Sequence, residues 1–447
     1  MNSIKKIACV SSCAFMLTMG ACNKKDSPAP EPVKETKVWN TVLGGNQQDE
    51  GYAVHKLSDG GYILFSSTYS NNSGDVGATK GNSDLWIVRM DADGKKIWQK
   101  TYGGSSDDYI TDIVVNPDGS FVGVGYTASN NSGDIGPTNG GGPDLWIIKI
   151  DANGNIAWNK TYGGANMDIA HSIARTSEGK YLVTGFTYSS NSGDIGANHG
   201  SSDCFIAKVT SEGSLEWLKT YGGNNYEEGN DIIANTDGTI VMAGHTSSSN
   251  SGDVGHSHGS YEMFFLKLDA SGVVLTSKTY GGQDSDYAER IIPTGDGGYV
   301  LAGGTFSNNY GDVGPGKGSN DAWIVKVDAN GELKWQKNIG GSGYEEFSDV
   351  IAATDGGYIA LLNTGSNNSG DIGANKGETD IAFVKMTSTG EIKAIKMMGG
   401  EKDDEMYSLS TGSDSGYIAV GYTLSSGGDV GKNNGESDIW VVKIKEL

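Results

Sequence analysis

A glycine pair, most often preceded by tyrosine, returns seven times along the chain, at Gly44-Gly45, Gly103-Gly104, Gly163-Gly164, Gly222-Gly223, Gly281-Gly282, Gly340-Gly341 and Gly399-Gly400. Five intervals are 59 residues and one is 60. So constant a period means one supersecondary unit copied in tandem, and it overrides the domain count that length alone suggests. Inside the unit, apolar residues alternate with a period of two. In the first copy Gly51 to Leu57, Tyr62 to Thr68, Asp84 to Met90 and Lys96 to Tyr102 read as strands. Tight turns at Ser58-Asp59-Gly60-Gly61 and Asp91-Ala92-Asp93-Gly94 separate them, and a long polar loop runs from Tyr69 to Ser83. Alternation between such turns is the signature of hairpins, and no stretch has useful helical periodicity. Four antiparallel strands in each of seven units predict an all-β chain, a single seven-bladed β-propeller.

The two ends fit a ring. The last unit stops after its third strand, Asp438 to Ile444. Trp39 lies 59 residues before Trp98, so Val38 to Leu43 stands in the register of a fourth strand and is expected to complete the last blade. Closure of this kind removes exposed sheet edges. A solenoid is the alternative architecture, but it needs polar end caps that neither end resembles. The tryptophans recur in register, in third strands (Trp86, Trp146, Trp323, Trp440) and in fourth strands (Trp39, Trp98, Trp158, Trp217, Trp335), which marks them as packing between blades.

The first residues read as a processing signal. Lys5 and Lys6 precede an apolar run from Ile7 to Met19, too short for a membrane span, that ends in Met19-Gly20-Ala21-Cys22. Small residues before a cysteine resemble the lipobox of bacterial lipoproteins. That resemblance implies a leader over residues 1–22, cleaved before Cys22, and acyl chains on Cys22 that anchor the protein stably. A soluble secreted protein cut elsewhere is the alternative. Residues 23–37 form a tether that Pro28, Pro30 and Pro32 hold extended, and residues 38–447 form the propeller. Lys24-Lys25-Asp26 resembles the short export signal of lipoproteins displayed on the cell surface. The expected place is therefore the outer membrane, reached through the lipid anchor only. Cys9 and Cys13 fall in the leader, which leaves Cys204 without a disulfide partner, as a buried thiol at a strand position. A formal charge of −22 makes nucleic acid a poor partner and cations or basic patches good ones.

In an up-and-down blade the loop between second and third strands shares a face with the link to the next blade, while the other face has only tight turns. Function is expected on the long-loop face. The loop reads Asn-Ser-Gly-Asp-Ile-Gly, then an acid nine or ten residues after the first. Its first acid recurs as Asp75, Asp134, Asp194, Asp253, Asp312, Asp371 and Asp429. Its second recurs as Asp84, Asp144, Asp203, Asp321, Asp380 and Asp438, with Glu262 in the fourth unit. The links add Asp49, Asp107, Asp168, Glu227, Asp286, Glu345 and Asp404. Three readings stand. Asp orders glycine-rich turns by accepting backbone N–H bonds. Calcium, a hard ion, is the possible cofactor, with the paired loop acids as ligands. Paired carboxylates could also serve hydrolysis, yet an active site is singular and these pairs occur seven times. Departures from the repeat are further candidates. His256, His258, Tyr261 and Glu262 fall within seven residues and could hold a transition metal. Tyr226, Tyr310 and Tyr344 add aromatic surface suited to a sugar or a protein. His171 and His245 lie in strand patterns and are expected to be packed.

The stretches Tyr102-Gly103-Gly104-Ser105-Ser106-Asp107-Asp108-Tyr109, Asp355-Gly356-Gly357-Tyr358-Ile359 and Asp151-Ala152-Asn153-Gly154-Asn155-Ile156-Ala157-Trp158 resemble the SBBP bacterial propeller repeat, related to Kelch. The resemblance covers about residues 38 to 447. It implies the architecture and a secreted or surface protein, and it is nearly silent on activity. The Asp-Ala-Asn-Gly…Trp turn also looks like the quinoprotein dehydrogenase repeat, but the eight blades and vicinal cysteines typical there are missing. Ser413-Asp414-Ser415-Gly416 is similar to a sialidase Asp-box without its Thr-Trp ending. The expectation is a non-enzymatic, monomeric propeller lipoprotein that binds or scaffolds a protein partner at the outer membrane. A glycan-binding surface lipoprotein is the alternative, and a hydrolase the remote one.

Overall fold

The computed structural model describes residues 37–412, 414, 416–445 and 447. The leader, Cys22 and most of the tether lie outside them. Among the described residues there is no helix, and the strands form seven four-stranded antiparallel sheets. Blade 1 is Asp49–Lys56, Tyr62–Thr68, Asp84–Met90 and Lys96–Tyr102. Its first strand starts two residues earlier than expected, and the other three match. Blade 7 is closed as the sequence requires: Lys37–Leu43 pairs antiparallel with Asp438–Ile444, with Val42 opposite Trp440. The chain is thus a closed seven-bladed β-propeller rather than a solenoid.

Seven apolar clusters hold the ring, one between each pair of neighbouring blades. The cluster across the closure joins Leu43, Ile439 and Val441 of blade 7 to Val54, Leu64 and Trp86 of blade 1. Blades stack face to face, so the middle strands are buried on both sides and read as near-continuous apolar runs. Trp86, Trp146, Trp323 and Trp440 are fully buried there. Each removes on the order of 200 Å2 from water, worth roughly 5 kcal/mol. The fourth-strand tryptophans pack half-buried against the same clusters. The tyrosine before the glycine pair straps blades together: Tyr102 donates its hydroxyl to Gly154 O at 2.7 Å, and Tyr221 to Gly272 O at 2.8 Å. Cys204 is buried, and its thiol donates to Tyr221 O.

The long loop owes its shape to two left-handed residues. Asn72 sits at φ 48° and Gly74 at φ 57°, and a Cβ on Gly74 would run into the Gly44 carbonyl. Asp75 N then donates to Gly44 O at 2.9 Å. The same bond repeats from Asp134 to Gly103 and on round the ring, so each long loop is pinned to a glycine pair.

Candidate functional site

In every blade the pairing of first and second strands slips by one residue. Gly51 lies opposite Ser66 and Ala53 opposite Phe65, which leaves Tyr52 as an extra residue. The same bulge frees Thr111, His171, Asn230, Glu289, Ser348 and Tyr407. A bulge re-aims its extra side chain. All seven line one cavity of about 400 Å3 at the centre of the ring. They sit in the first half of strands that start from the glycine-pair links, so the cavity is the channel mouth on the long-loop face.

Glu228, His245, Arg290, Glu346, Asn363 and Glu405 complete the lining. Arg290 is committed below: its Nε donates to Asp349 Oδ1 at 2.9 Å, and Asp231 Oδ1 lies 3.6 Å from its Nη1. Those acids also clamp blade to blade, since Ile291 N donates to Asp231 at 2.8 Å and Leu409 N to Asp349 at 2.6 Å. Burial works against the Arg290 charge, and Asp231, Asp349 and Asp112 more than offset it, so its pKa lies above the ordinary value. Glu289 is different. Burial, then the Glu346 and Glu228 carboxylates, push its pKa up to about 8. Burial likewise raises Glu346 and Glu405. Glu228 lies between two imidazoles, 3.3 Å from His171 Nδ1 and 3.5 Å from His245 Nε2. On the opposite wall the Tyr52 and Tyr407 rings stack 5.7 Å apart at 12°. Their hydroxyls donate to Glu50 at 2.7 Å and to Glu405 at 3.2 Å. The exposed aromatic residues, Tyr188, Tyr226, Phe306, Tyr310 and Tyr344, are all on this face, 41–52 % accessible.

The acids singled out in the sequence form a different, repeated system. The first loop acids accept from the glycine pair, as Gly103 N donates to Asp134 Oδ2 at 3.1 Å and Gly340 N to Asp371 at 3.2 Å. Lysines meet four of them: Lys96 on Asp75, Lys80 on Asp134, Lys317 on Asp371 and Lys376 on Asp429. Asn139 reaches Asp194 at 3.2 Å. The second acids are buried at the start of each third strand. One oxygen takes a backbone N–H, as from Asn139 to Asp144 at 2.7 Å and from Lys317 to Asp321 at 2.7 Å. The other oxygen has no donor at Asp84, Asp144, Asp203, Glu262, Asp321, Asp380 or Asp438. It faces the link acid across the first glycine of the pair. At Gly222 a Cβ would stand 2.5 Å from Glu227 Oε2 and 2.7 Å from Asp203 Oδ1, which puts those oxygens within about 5 Å of each other. Burial first, and the facing carboxylate as well, lift Asp84, Asp144, Asp380 and Asp438 to about 6.

Three sequence expectations are corrected. The link acid of the second blade is Asp108: Gly104 N donates to it at 2.6 Å, four residues on, as Gly45 N does to Asp49 at 2.7 Å. Asp107, the other half of an Asp-Asp doublet, lies one residue out of that register. His171 and His245 are packed on one side only, edge-on against Phe186 and Tyr261; the bulge and the strand pairing opposite Glu228 turn their other side to the channel. Glu262 is the fourth unit's buried structural acid, and His258 Nδ1 lies 3.2 Å from it. His256 meets His258 edge to face with centroids 5.1 Å apart, and Tyr261 lies 5.5 Å from His245. Among the described residues, no group of three or more His, Cys, Asp or Glu is arranged to hold a metal ion. Thus the repeat acids cluster at blade junctions, Tyr226, Tyr310 and Tyr344 stand on the rim, and the carboxylates of the channel mouth are ones the sequence reading did not single out.

No family model matches the chain. One segment is 23% identical over 223 residues to the regulatory protein FlaEY of Caulobacter vibrioides, covering 46% of this chain and 23% of that protein. The chain therefore spans about a quarter of that relative's length. Among solved structures it is similar to a protein of unknown function from Dyadobacter fermentans, with 13% identity, a TM-score of 0.45, and coverage of 92% of this chain and 99% of that one. It is also similar to the Pan2 WD40 domain of Neurospora crassa, at 9% identity and a TM-score of 0.46, covering 91% and 96%. A fungal alcohol oxidase of the AA5 family, in complex with copper, aligns at 12% identity and a TM-score of 0.47, covering 92% and 76%. At these identities and TM-scores the likenesses carry no argument about role; the seven four-stranded sheets of the chain itself show the β-propeller.

Proposed function

We propose that this protein is a non-enzymatic binding protein, held at the outer membrane through a lipidated Cys22, whose long-loop face docks a protein partner. The observation that carries the reading is the channel mouth: a cavity lined by a bulge side chain from each of the seven repeats, Tyr twice and otherwise different each time, with exposed aromatic residues in the loops and links between blades 3 and 6 on the same face. Aromatic anchors beside a polar recess are what protein interfaces use. A hydrolase would need a nucleophile aligned on a base. Ser348 Oγ has no hydrogen-bond partner, and His171 and His245 are both turned to Glu228. The stacked Tyr52–Tyr407 pair favours a second reading, a glycan on the same face.

The test is purification of the lipidated protein from its own membrane in mild detergent. A stoichiometric partner that is lost when Tyr226 and Tyr310 are changed to Ala supports docking. A clean monomer whose soluble propeller binds sugar supports the glycan reading. Cys22→Ala should release the protein from membranes, and retention there would remove the anchor from the proposal.

A further inference from the structure

We infer that the channel mouth receives a lysine side chain presented by the partner. The inference rests on the docking reading above and names the partner's chemistry. Glu228, Glu289, Glu346 and Glu405 line a single cavity of about 400 Å3, large enough for one or two side chains. The cations of the lining are spoken for. Arg290 is bonded to Asp349 and Asp231, and both histidines lie against Glu228. Among the described residues Glu289, Glu346 and Glu405 take part in no ion pair: Glu346 accepts the Tyr344 hydroxyl and Glu405 the Tyr407 hydroxyl, neutral donors that leave the charge uncompensated. Within the lining, Ser348 Oγ and His245 Nδ1 lack a hydrogen-bond partner.

The walls suit an alkylammonium. The Tyr52 and Tyr407 rings stack on each other, and where the pair lines the cavity it offers apolar surface for a methylene stem. A lysine head is a compact point charge and needs no planar, two-pronged acceptor, whereas these carboxylates converge from different blades. Two features place that lysine on a protein. Five aromatic side chains on the same face are 41–52 % accessible, surface that a small amine would leave uncovered. The formal charge of −22 also steers a basic segment toward the acidic mouth.

The experiment uses the full-length protein in detergent and three probes: a labelled nonapeptide with two lysines among glycines and serines, its twin with norleucine for lysine, and spermidine. The lysine peptide should bind and the norleucine twin should not. Glu289→Gln with Glu346→Gln should weaken the lysine peptide at least tenfold, and so should 0.5 M salt. Tyr226→Ala with Tyr310→Ala should weaken the peptide but not spermidine. The Gln variants remove like-charge repulsion and should fold; Glu405→Gln serves if either does not. Equal binding of the two peptides, no binding of the lysine peptide, or an unchanged affinity in the Gln variant overturns the inference. Spermidine binding tighter than the peptide overturns it in favour of a free-amine site. A membrane partner retained by the Gln variant but lost by the Tyr variant would sink the lysine inference and leave the docking reading standing.

Discussion

The buried acid pairs make opposite predictions for their two members. Asp84 is wholly buried, and one oxygen takes the Lys80 N–H at 2.5 Å while the other has no donor. Ionised, it faces Asp108 across Gly103. Its pKa, pushed from 3.8 to about 6, means that ionising it in place costs about 3 kcal/mol. Asp84→Asn keeps the accepting oxygen, removes the charge and turns an N–H toward Asp108. The variant should be more stable than the native protein by up to about 3 kcal/mol at pH 8 and by only about 0.5 kcal/mol at pH 4, where the folded native side chain is already protonated. The sign follows from linkage: the folded state holds the proton more tightly, so native stability falls as pH rises from about 4 to 6 and then levels off. Asp108→Asn should destabilise at both pH values, because the hydrogen bonds it loses do not depend on the charge that burial already disfavours. Asp108 accepts from Gly104 N, Thr127 Oγ1 and Ser129 Oγ, and an amide nitrogen would meet a donor, at a loss of about 1–3 kcal/mol. Urea unfolding at pH 8 and pH 4 reads both. If Asp84→Asn destabilises at pH 8, or acts equally at both values, the account of these pairs is wrong.

Three further outcomes are expected. Deleting residues 37–43 leaves Asp438–Ile444 as a bare edge and opens the cluster between blades 7 and 1, so the whole propeller should melt many degrees lower; an unchanged melting temperature would count against the closed ring. Calcium should move the melting temperature by less than about 1 °C, because lysines already neutralise Asp75, Asp134, Asp371 and Asp429; a rise of several degrees would instead place the ion at Asp194, Asp253 or Asp312, where no lysine reaches among the described residues. Affinity for the lysine peptide should climb up to about tenfold from pH 7 to pH 9, since Glu289, lifted to about 8 by burial and by Glu346 and Glu228 against the pull of Arg290, is mostly protonated at the lower value and mostly ionised at the higher; calorimetry showing a flat profile would take Glu289 out of the site.

What repeats in this chain is scaffold, and that is why the scaffold was legible. The glycine pair recurs because a long loop is pinned to its carbonyl and a carboxylate to its second N–H. The loop asparagine recurs because the turn needs a left-handed residue, and the Trp positions recur because each blade packs on the next in the same way. Each constraint is copied seven times, so copies of one sequence stand in for an alignment and the ring follows. The channel mouth obeys the opposite rule. Its residues lie on the same strands, three places after a recurring acid, yet they read Tyr52, Thr111, His171, Asn230, Glu289, Ser348 and Tyr407. A signal was present: in Asp49–Lys56 the buried positions run Asp49, Gly51, Ala53, Val54, and alternation breaks where two neighbours both turn inward. That break is the mark of a bulge. A search for recurrence passes over it, because recurrence finds what every blade needs in order to stack. One ring position freed from stacking by a bulge can take a different side chain in each blade, and seven such choices are enough to give a symmetric scaffold an asymmetric site.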